Sequence, residues 1–272
     1  MEGQAAGFAS TWEPDTEFLT VGAGGNARRI AFLRGAPLQD GGKPGIVWLG
    51  GFRSTMRGEK AAYLHQASCA SEKAFLRFDY SGHGESEGRF EDGTIGRWLE
   101  ESLAVLRELT VGPQILVGSS MGGWLALLVA RALSGSGESG RLHGMALIAP
   151  AVDFTETLIF ARMSKAERAE LKADGRWLRP SRYGDGPYPI SREFLEEGRR
   201  HLLFGGSIAS HCPAHILQGM QDEDVPWRHA LTLVEHMHGD PATLTLIKDG
   251  DHRLSRPQDL ARIWAAVEGM GG

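Results

Sequence analysis

Short apolar runs alternate with amphipathic stretches along most of the chain. Residues 17–21 and 29–33 read as two strands split by the turn Gly22-Ala23-Gly24-Gly25-Asn26. The runs at 45–49, 74–78, 115–117, 145–148, 216–217 and 244–247 are short and mostly apolar. Runs of that kind predict strands buried on both faces, as in a parallel sheet. Between them, 60–67, 94–109, 121–133, 227–237 and 257–267 repeat apolar residues near every 3.6 positions and predict helices. Pro226 and Pro257 stand where first helical turns start. Strand and helix in regular exchange predict an α/β fold with a doubly wound, mostly parallel sheet. The short first turn gives that sheet an antiparallel edge.

One segment breaks the rhythm. Some sixty residues follow the strand ending at Ala149, and no strand is predicted in them before about His215. Helices are expected at 154–163, 164–172 and 191–204. Ser164 with Glu167 forms a capping-box pattern, and Ser191 can cap the third helix. Residues 179–189, rich in Pro, Gly and Tyr, read as irregular loop. The expected organisation is one domain over 1–272 with a helical cap inserted at about 151–210. Such an excursion lies at the sheet edge where open α/β folds bind ligands.

Composition removes several functions. With 42% hydrophobic and 23% charged residues the chain is ordinary globular protein. The 37 glycines among 272 residues follow no G-X-Y period, which excludes collagen. Lys and Arg total 29 against 34 Asp and Glu, a formal charge of −5, and no basic tract offers a nucleic-acid surface. The longest apolar stretch, 124–133, is too short for a membrane span. Two cysteines, Cys69 and Cys212, make neither a disulfide framework nor a thiolate zinc site and fit a reducing compartment. The first residues read as neither signal nor transit peptide, so a cytoplasmic protein is expected. The pattern Gly22-Ala23-Gly24-Gly25-Asn26-Ala27 loosely matches a dinucleotide fingerprint, but a strand rather than a helix follows it.

The sharpest signal is Gly118-Ser119-Ser120-Met121-Gly122-Gly123, G-x-S-x-G between a strand and a helix. That context is the one a nucleophile elbow requires, and it makes Ser120 the candidate nucleophile at a helix N-terminus. A serine hydroxyl needs a base, and the elbow is followed in the chain by an acid and then a histidine. His252, in the loop after the last predicted strand, sits at the same sheet edge as Ser120 and is the candidate base. His229, His236 and His238 fall on or after an amphipathic helix and read as solvent-facing. His83 is a weaker candidate between turn glycines. The loop Gly219-Met220-Gln221-Asp222-Glu223-Asp224 supplies the acid. Asp222 at its crest is the assignment, Asp224 the alternative and Asp153 a remote third. The Met121 N–H and the Phe52 N–H, the latter on Gly50-Gly51-Phe52-Arg53, are the candidate oxyanion donors. Asp79 and Ser86 read as loop-bracing hydrogen bonders. No His, Asp or Glu cluster has metal-ligand spacing.

These blocks resemble the α/β-hydrolase superfamily across nearly the whole chain. Within it, Arg77-Phe78-Asp79-Tyr80-Ser81-Gly82, the long run 112–125, Gly219-Met220-Gln221-Asp222 with Val225-Pro226-Trp227, and Asp251-His252-Arg253 are similar to a branch of mitochondrial palmitoyl-protein thioesterases, also described as mycophenolic acid acyl-glucuronide esterases. The resemblance implies an α/β-hydrolase fold and a serine hydrolase of carboxylic esters or thioesters. It implies Ser120, Asp222 and His252 as nucleophile, acid and base, no metal or organic cofactor, and a small-molecule ester or acylated protein as substrate. The acyl group is expected against Phe154, Leu158, Ile159 and Met163. An amidase or peptidase on the same residues and a non-catalytic binding protein are the competing readings. Oligomeric state is left open.

Overall fold

The computed structural model describes residues 14–35, 43–181 and 186–270. An antiparallel pair opens the chain, β1 (Glu17–Val21) and β2 (Arg28–Gly35). Then strands and helices alternate: β3 (Gly45–Leu49), α1 (Glu59–Ala70), β4 (Phe75–Phe78), α2 (Ile95–Leu109), β5 (Gln114–Ser119), α3 (Met121–Gly135) and β6 (Leu142–Ile148). The excursion holds α4 (Lys165–Asp174), β7 (Arg176–Arg179), β8 (Tyr188–Ser191) and α5 (Arg192–Gly198). The chain returns through β9 (Ala214–Gly219), α6 (Trp227–His236), β10 (Ala242–Ile247) and α7 (Pro257–Met270).

Eight strands form one sheet in the order β1-β2-β4-β3-β5-β6-β9-β10. β2 pairs antiparallel with β4, and the six strands from β4 to β10 run parallel. Every residue of β3 and β5 is buried, because helices cover both faces and no position faces water. Ile95 and Trp98 of α2, Trp124 and Leu128 of α3, and Leu233 of α6 pack one face. Leu64 of α1 and Ile263 of α7 pack the other against Ile46, Trp48 and Ile115. This is the doubly wound α/β sheet with an antiparallel edge that the pattern predicts.

The excursion departs from the expectation in two places. No strand was expected between Ala149 and His215, yet β7 and β8 form a two-stranded antiparallel ribbon, which takes only Arg179, Tyr188 and Pro189 out of the loop expected at 179–189; residues 182–185 of that loop lie outside the described residues. Trp177 and Ile190 are paired and both buried, an apolar alternation that the surrounding Pro, Gly and Tyr hide in the sequence. The helix expected at 154–163 is instead a π-helical turn, Thr155–Ile159, followed by a 3-10 turn, Phe160–Arg162. Thr155, Thr157 and Ile159 are β-branched and weak helix formers. Gly198 of α5 also presses there: a Cβ on it would lie 2.6 Å from Thr155 Oγ1. The third helix is shorter than expected. α5 ends at Gly198 and a 3-10 turn, Arg199–His201, follows. The Ser164–Glu167 capping box and the Ser191 cap both form.

Candidate active site

β5 ends in a turn that only small residues permit. A Cβ on Gly118 would lie 2.4 Å from the Gly122 carbonyl oxygen, and one on Gly122 would lie 2.0 Å from that of Leu49. Ser120 itself sits at φ 55 and ψ −115, a backbone state that L-residues rarely adopt. The turn is held because the Ser120 N–H donates to Ile148 O (2.8 Å) and its carbonyl accepts from the Ala151 N–H (3.0 Å). The hydroxyl therefore stands above the sheet edge at the N-terminus of α3, where the helix dipole favours negative charge.

The loops after β9 and β10 meet backbone to backbone. A Cβ on Gly219 would lie 2.4 Å from the Gly250 carbonyl oxygen, which also accepts the Gln221 N–H at 2.9 Å. This close approach brings two distant side chains together. His252 Nδ1 lies 2.7 Å from Asp222 Oδ2, and His252 Nε2 lies 3.1 Å from Ser120 Oγ. Asp222 is buried. Its Oδ1 accepts the N–H groups of Asp224 (2.9 Å) and Val225 (2.8 Å), and Gln218 Nε2 donates to Oδ2 at 3.1 Å. These donors fix the carboxylate so that its remaining lone pairs face the imidazole. Asp224 stands beside the row and donates its N–H to Asp222. Asp222, Asp224 and His252 each offer a ligand atom within 4.8 Å of the others. A cation there would have to break the Asp222–His252 hydrogen bond.

Phe52 and Met121 line the cavity next to Ser120. Among the described residues no acceptor faces either N–H. The Phe52 side chain, which sequence reasoning passed over, anchors its loop. Its ring stacks on Phe194 at 5.3 Å and meets Phe90, Phe154 and Tyr188 edge-on. His83 is not near the row. It is buried, accepts the Arg53 N–H on Nε2 at 3.0 Å, and lies 3.3 Å from Ser81 O on Nδ1. Burial pushes its pKa down to about 4, so it props the Phe52 loop as a neutral ring. Asp79 accepts the Met56 and Glu85 N–H groups, and Ser86 Oγ donates to Asp79 O, so both brace this region.

Three other expectations change. His229 is not solvent-facing: Nε2 bonds Val152 O at 2.8 Å, the ring packs on Phe204, and burial lowers its pKa. His236 packs on Phe204 as well. Asp153 accepts the N–H groups of Leu203 and Phe204, far from the imidazole of His252 in function, and so ties the start of the excursion to its end. Gln218 was missed, although a glutamine inside an apolar strand is the kind of signal that marks a buried polar partner.

A cavity of about 560 Å³ opens over Ser120 and His252. That is within the roughly 300–1,000 Å³ range of small-molecule sites. Phe154, Leu158, Trp177 and Tyr188 of the excursion form one wall. Ile159 and Met163, expected to face the acyl group with Phe154 and Leu158, are buried among core residues instead.

The fold and this site define an α/β hydrolase, and the chain belongs to the alpha/beta hydrolase family, whose model matches residues 30–267. It is similar to palmitoyl-protein thioesterase ABHD10, mitochondrial, of Mus musculus, with 35% identity over 231 residues that cover 85% of this chain and 76% of that one. Among solved structures, a protein of Agrobacterium vitis S4 described as a hydrolase matches with a TM-score of 0.91 and 48% identity, covering 95% of this chain and 99% of that one. Mouse alpha/beta hydrolase domain-containing protein 10 matches with a TM-score of 0.82 and 31% identity, covering 94% and 98%. The cytoplasmic expectation is overturned here, since the curated relatives are named mitochondrial. It rested on cysteine usage and on the first residues, which lie outside the described ones; two unbridged cysteines do not single out the cytosol. No helix among the described residues is long and apolar enough to cross a membrane.

Proposed function

We propose that the protein is a serine hydrolase of carboxylic esters or thioesters that works through an acyl-enzyme on Ser120. The observation that carries this reading is the row Ser120–His252–Asp222, with spacings of 3.1 and 2.7 Å, at the floor of the cavity. His252 takes the Ser120 proton as Oγ attacks the carbonyl carbon, and returns it to the departing oxygen or sulfur. Water then attacks the acyl carbon as His252 takes its proton, and His252 returns that proton to Ser120 Oγ as the Oγ–C bond breaks and the acid departs. Asp222 holds the imidazole with Nδ1–H toward it and stabilises the imidazolium. The Phe52 and Met121 N–H groups receive the oxyanion, and loss of one such donor costs about 3 kcal/mol of transition-state stabilisation.

The acyl group lies against Phe154, Leu158, Trp177 and Tyr188 under the excursion, which acts as a cap. The names of the curated relatives favour a fatty acyl thioester on protein as one substrate. A fluorophosphonate probe should label wild-type protein, and Ser120→Ala should abolish both labelling and hydrolysis of a p-nitrophenyl ester. Hydrolysis by Ser120→Ala at the wild-type rate would refute the assignment.

A further inference from the structure

The loop that carries Phe52 is held in a backbone state its sequence does not favour. The Ser54 N–H donates to Gly51 O at 3.0 Å and closes the turn Gly51-Phe52-Arg53-Ser54. Arg53, at the third position, has φ 61, while Phe52 stays outside the left-handed region. That is the type II pattern, which ordinarily takes glycine or asparagine at its third position. A type I turn closes with the same bond and has a negative φ at its third position, which suits arginine. The two forms differ by rotation of the central peptide plane, here Phe52–Arg53, through about half a turn.

His83 decides between them. Its Nε2 accepts the Arg53 N–H at 3.0 Å, and its Nδ1 lies 3.3 Å from Ser81 O. A carbonyl only accepts, so Nδ1 carries the ring proton and Nε2 offers a lone pair. Rotation of the peptide plane would take the N–H away and turn the Phe52 carbonyl toward a nitrogen that only accepts. The ring is not free to follow. It is buried and meets Tyr80, Phe90 and Trp98 edge-on. Ser81 O also accepts the Trp98 Nε1–H at 3.1 Å, and the Ser81 N–H donates to the buried Glu101 carboxylate of α2 at 2.9 Å. Upstream of Phe52 stand Gly50 and Gly51, whose backbone rotates most freely. The direction of the Phe52 N–H is therefore set from Phe52 onward. One anchor is the Phe52 ring, held against Phe90, Phe154 and Phe194, and the other is the Arg53 N–H on His83.

We propose that His83 is a positioning residue for hydrolysis: by accepting the Arg53 N–H it holds the Gly51–Ser54 turn in its type II form and keeps the Phe52 N–H aimed at the oxyanion. The inference rests on the Phe52 N–H as an oxyanion donor. His83 touches no reacting atom and acts through the Arg53 peptide. An oxyanion donor stabilises the transition state when its direction is fixed before charge develops. A turn that exchanges between two forms thus loses rate while ground-state binding is kept.

His83→Leu removes the acceptor and leaves an apolar side chain among the aromatic rings. On the full chain, kcat for p-nitrophenyl butyrate should fall about 20-fold, with KM within about twofold. Affinity for a trifluoromethyl ketone of the same acyl length, which forms an oxyanion on Ser120, should fall with kcat. Arg53→Gly added to His83→Leu should restore kcat to within about threefold of Arg53→Gly alone, because glycine takes positive φ without strain and the type II form then persists unaided. A damaged core would not be repaired by that glycine. His83→Gln supplies an acceptor and should keep kcat within about threefold of wild type. Wild-type kcat in His83→Leu, or no recovery on adding Arg53→Gly, overturns the positioning role and leaves the hydrolase reading intact. If His83→Leu does not fold, nitrogen NMR of histidine-labelled wild-type protein decides. The ring signals absent from His83→Gln must show a protonated Nδ1 and a bare Nε2 at neutral pH, and a proton on Nε2 overturns the proposal. Absence of fluorophosphonate labelling in the wild type overturns both readings.

Discussion

Two strand exits carry buried aspartates with opposite uses. Asp222, after β9, spends Oδ1 on the N–H groups of its own loop and turns Oδ2 to His252. Asp153, after β6, spends both oxygens on Leu203 and Phe204, at the far end of the excursion. The residue type, the burial and the place in the fold are shared. The difference is whether the carboxylate keeps an oxygen for a side chain from another loop. Gly219 allows the β10 loop that close, so the imidazole of that loop reaches Oδ2 of Asp222. A carboxylate at a sheet edge is thus chemical or structural according to what the neighbouring backbone lets in.

The largest effect should come from Asp222. Asp222→Asn keeps the shape but favours the wrong imidazole tautomer, and kcat/KM on a p-nitrophenyl ester should fall about 10⁴-fold with the melting temperature nearly unchanged. If Asp153→Asn lost as much activity at equal stability, the contrast between the two exits would be broken.

His83 sharpens the same contrast on the side of the Phe52 loop. It is 4% exposed, and its folded pKa of about 4 lies below the ordinary 6.5. The unfolded chain therefore takes up a proton that the native state refuses. Its contribution is fully present above about pH 6.5 and is lost as pH falls toward 4, amounting to about 3 kcal/mol across that window. His83→Gln keeps an acceptor for the Arg53 N–H and removes the titration. Urea denaturation at a series of pH values should show a shallower acid loss in the variant. Identical slopes would mean that His83 is not the neutral prop described.

Asp153 should act on stability and on the cap rather than on the chemistry. Asp153→Ala leaves the Leu203 and Phe204 N–H groups without their acceptor, at a cost of about 2 kcal/mol. The excursion it ties down supplies Phe154 and Leu158 to the cavity wall, so KM for a long-chain ester should rise more than kcat falls. A normal melting temperature and KM would remove Asp153 as the clasp of the excursion.

The legibility of the sequence follows the same division. Apolar runs in β3 and β5 and helical spacing in α2 and α3 were readable because the sheet core obeys simple periodicity. The elbow was readable because glycines at 118 and 122 are required by backbone contacts only a few residues apart. Ser120, His252 and Asp222 were nameable from motif and chain order, but their mutual distances depend on Gly219 meeting Gly250, a contact across two strands. The excursion was misread where local preference and packing disagree. Trp177 and Ile190 pair across a Pro- and Gly-rich stretch, and Thr155 takes a π turn under pressure from Gly198. His83 owes its role to Arg53, 30 residues away in the chain, and periodicity carries no trace of it.

The smallest expected effect tests the part of the excursion that the sequence did specify. Ser164 accepts the Glu167 N–H at 3.2 Å, and Glu167 accepts the Ser164 N–H at 2.7 Å, which closes the first turn of α4. Both bonds are exposed, so water replaces much of what is lost on mutation. Ser164→Ala should cost about 1 kcal/mol, the ordinary value of an N-cap. Glu167 is held below the usual carboxylate range chiefly by the Ser164 N–H it accepts, so the capping contribution is present above the carboxylate range and fades as acid protonates it. The melting-temperature difference between wild type and Ser164→Ala should therefore narrow on acidification. A difference that stays constant as the pH falls through the carboxylate range would mean that Glu167 does not close the first turn of α4.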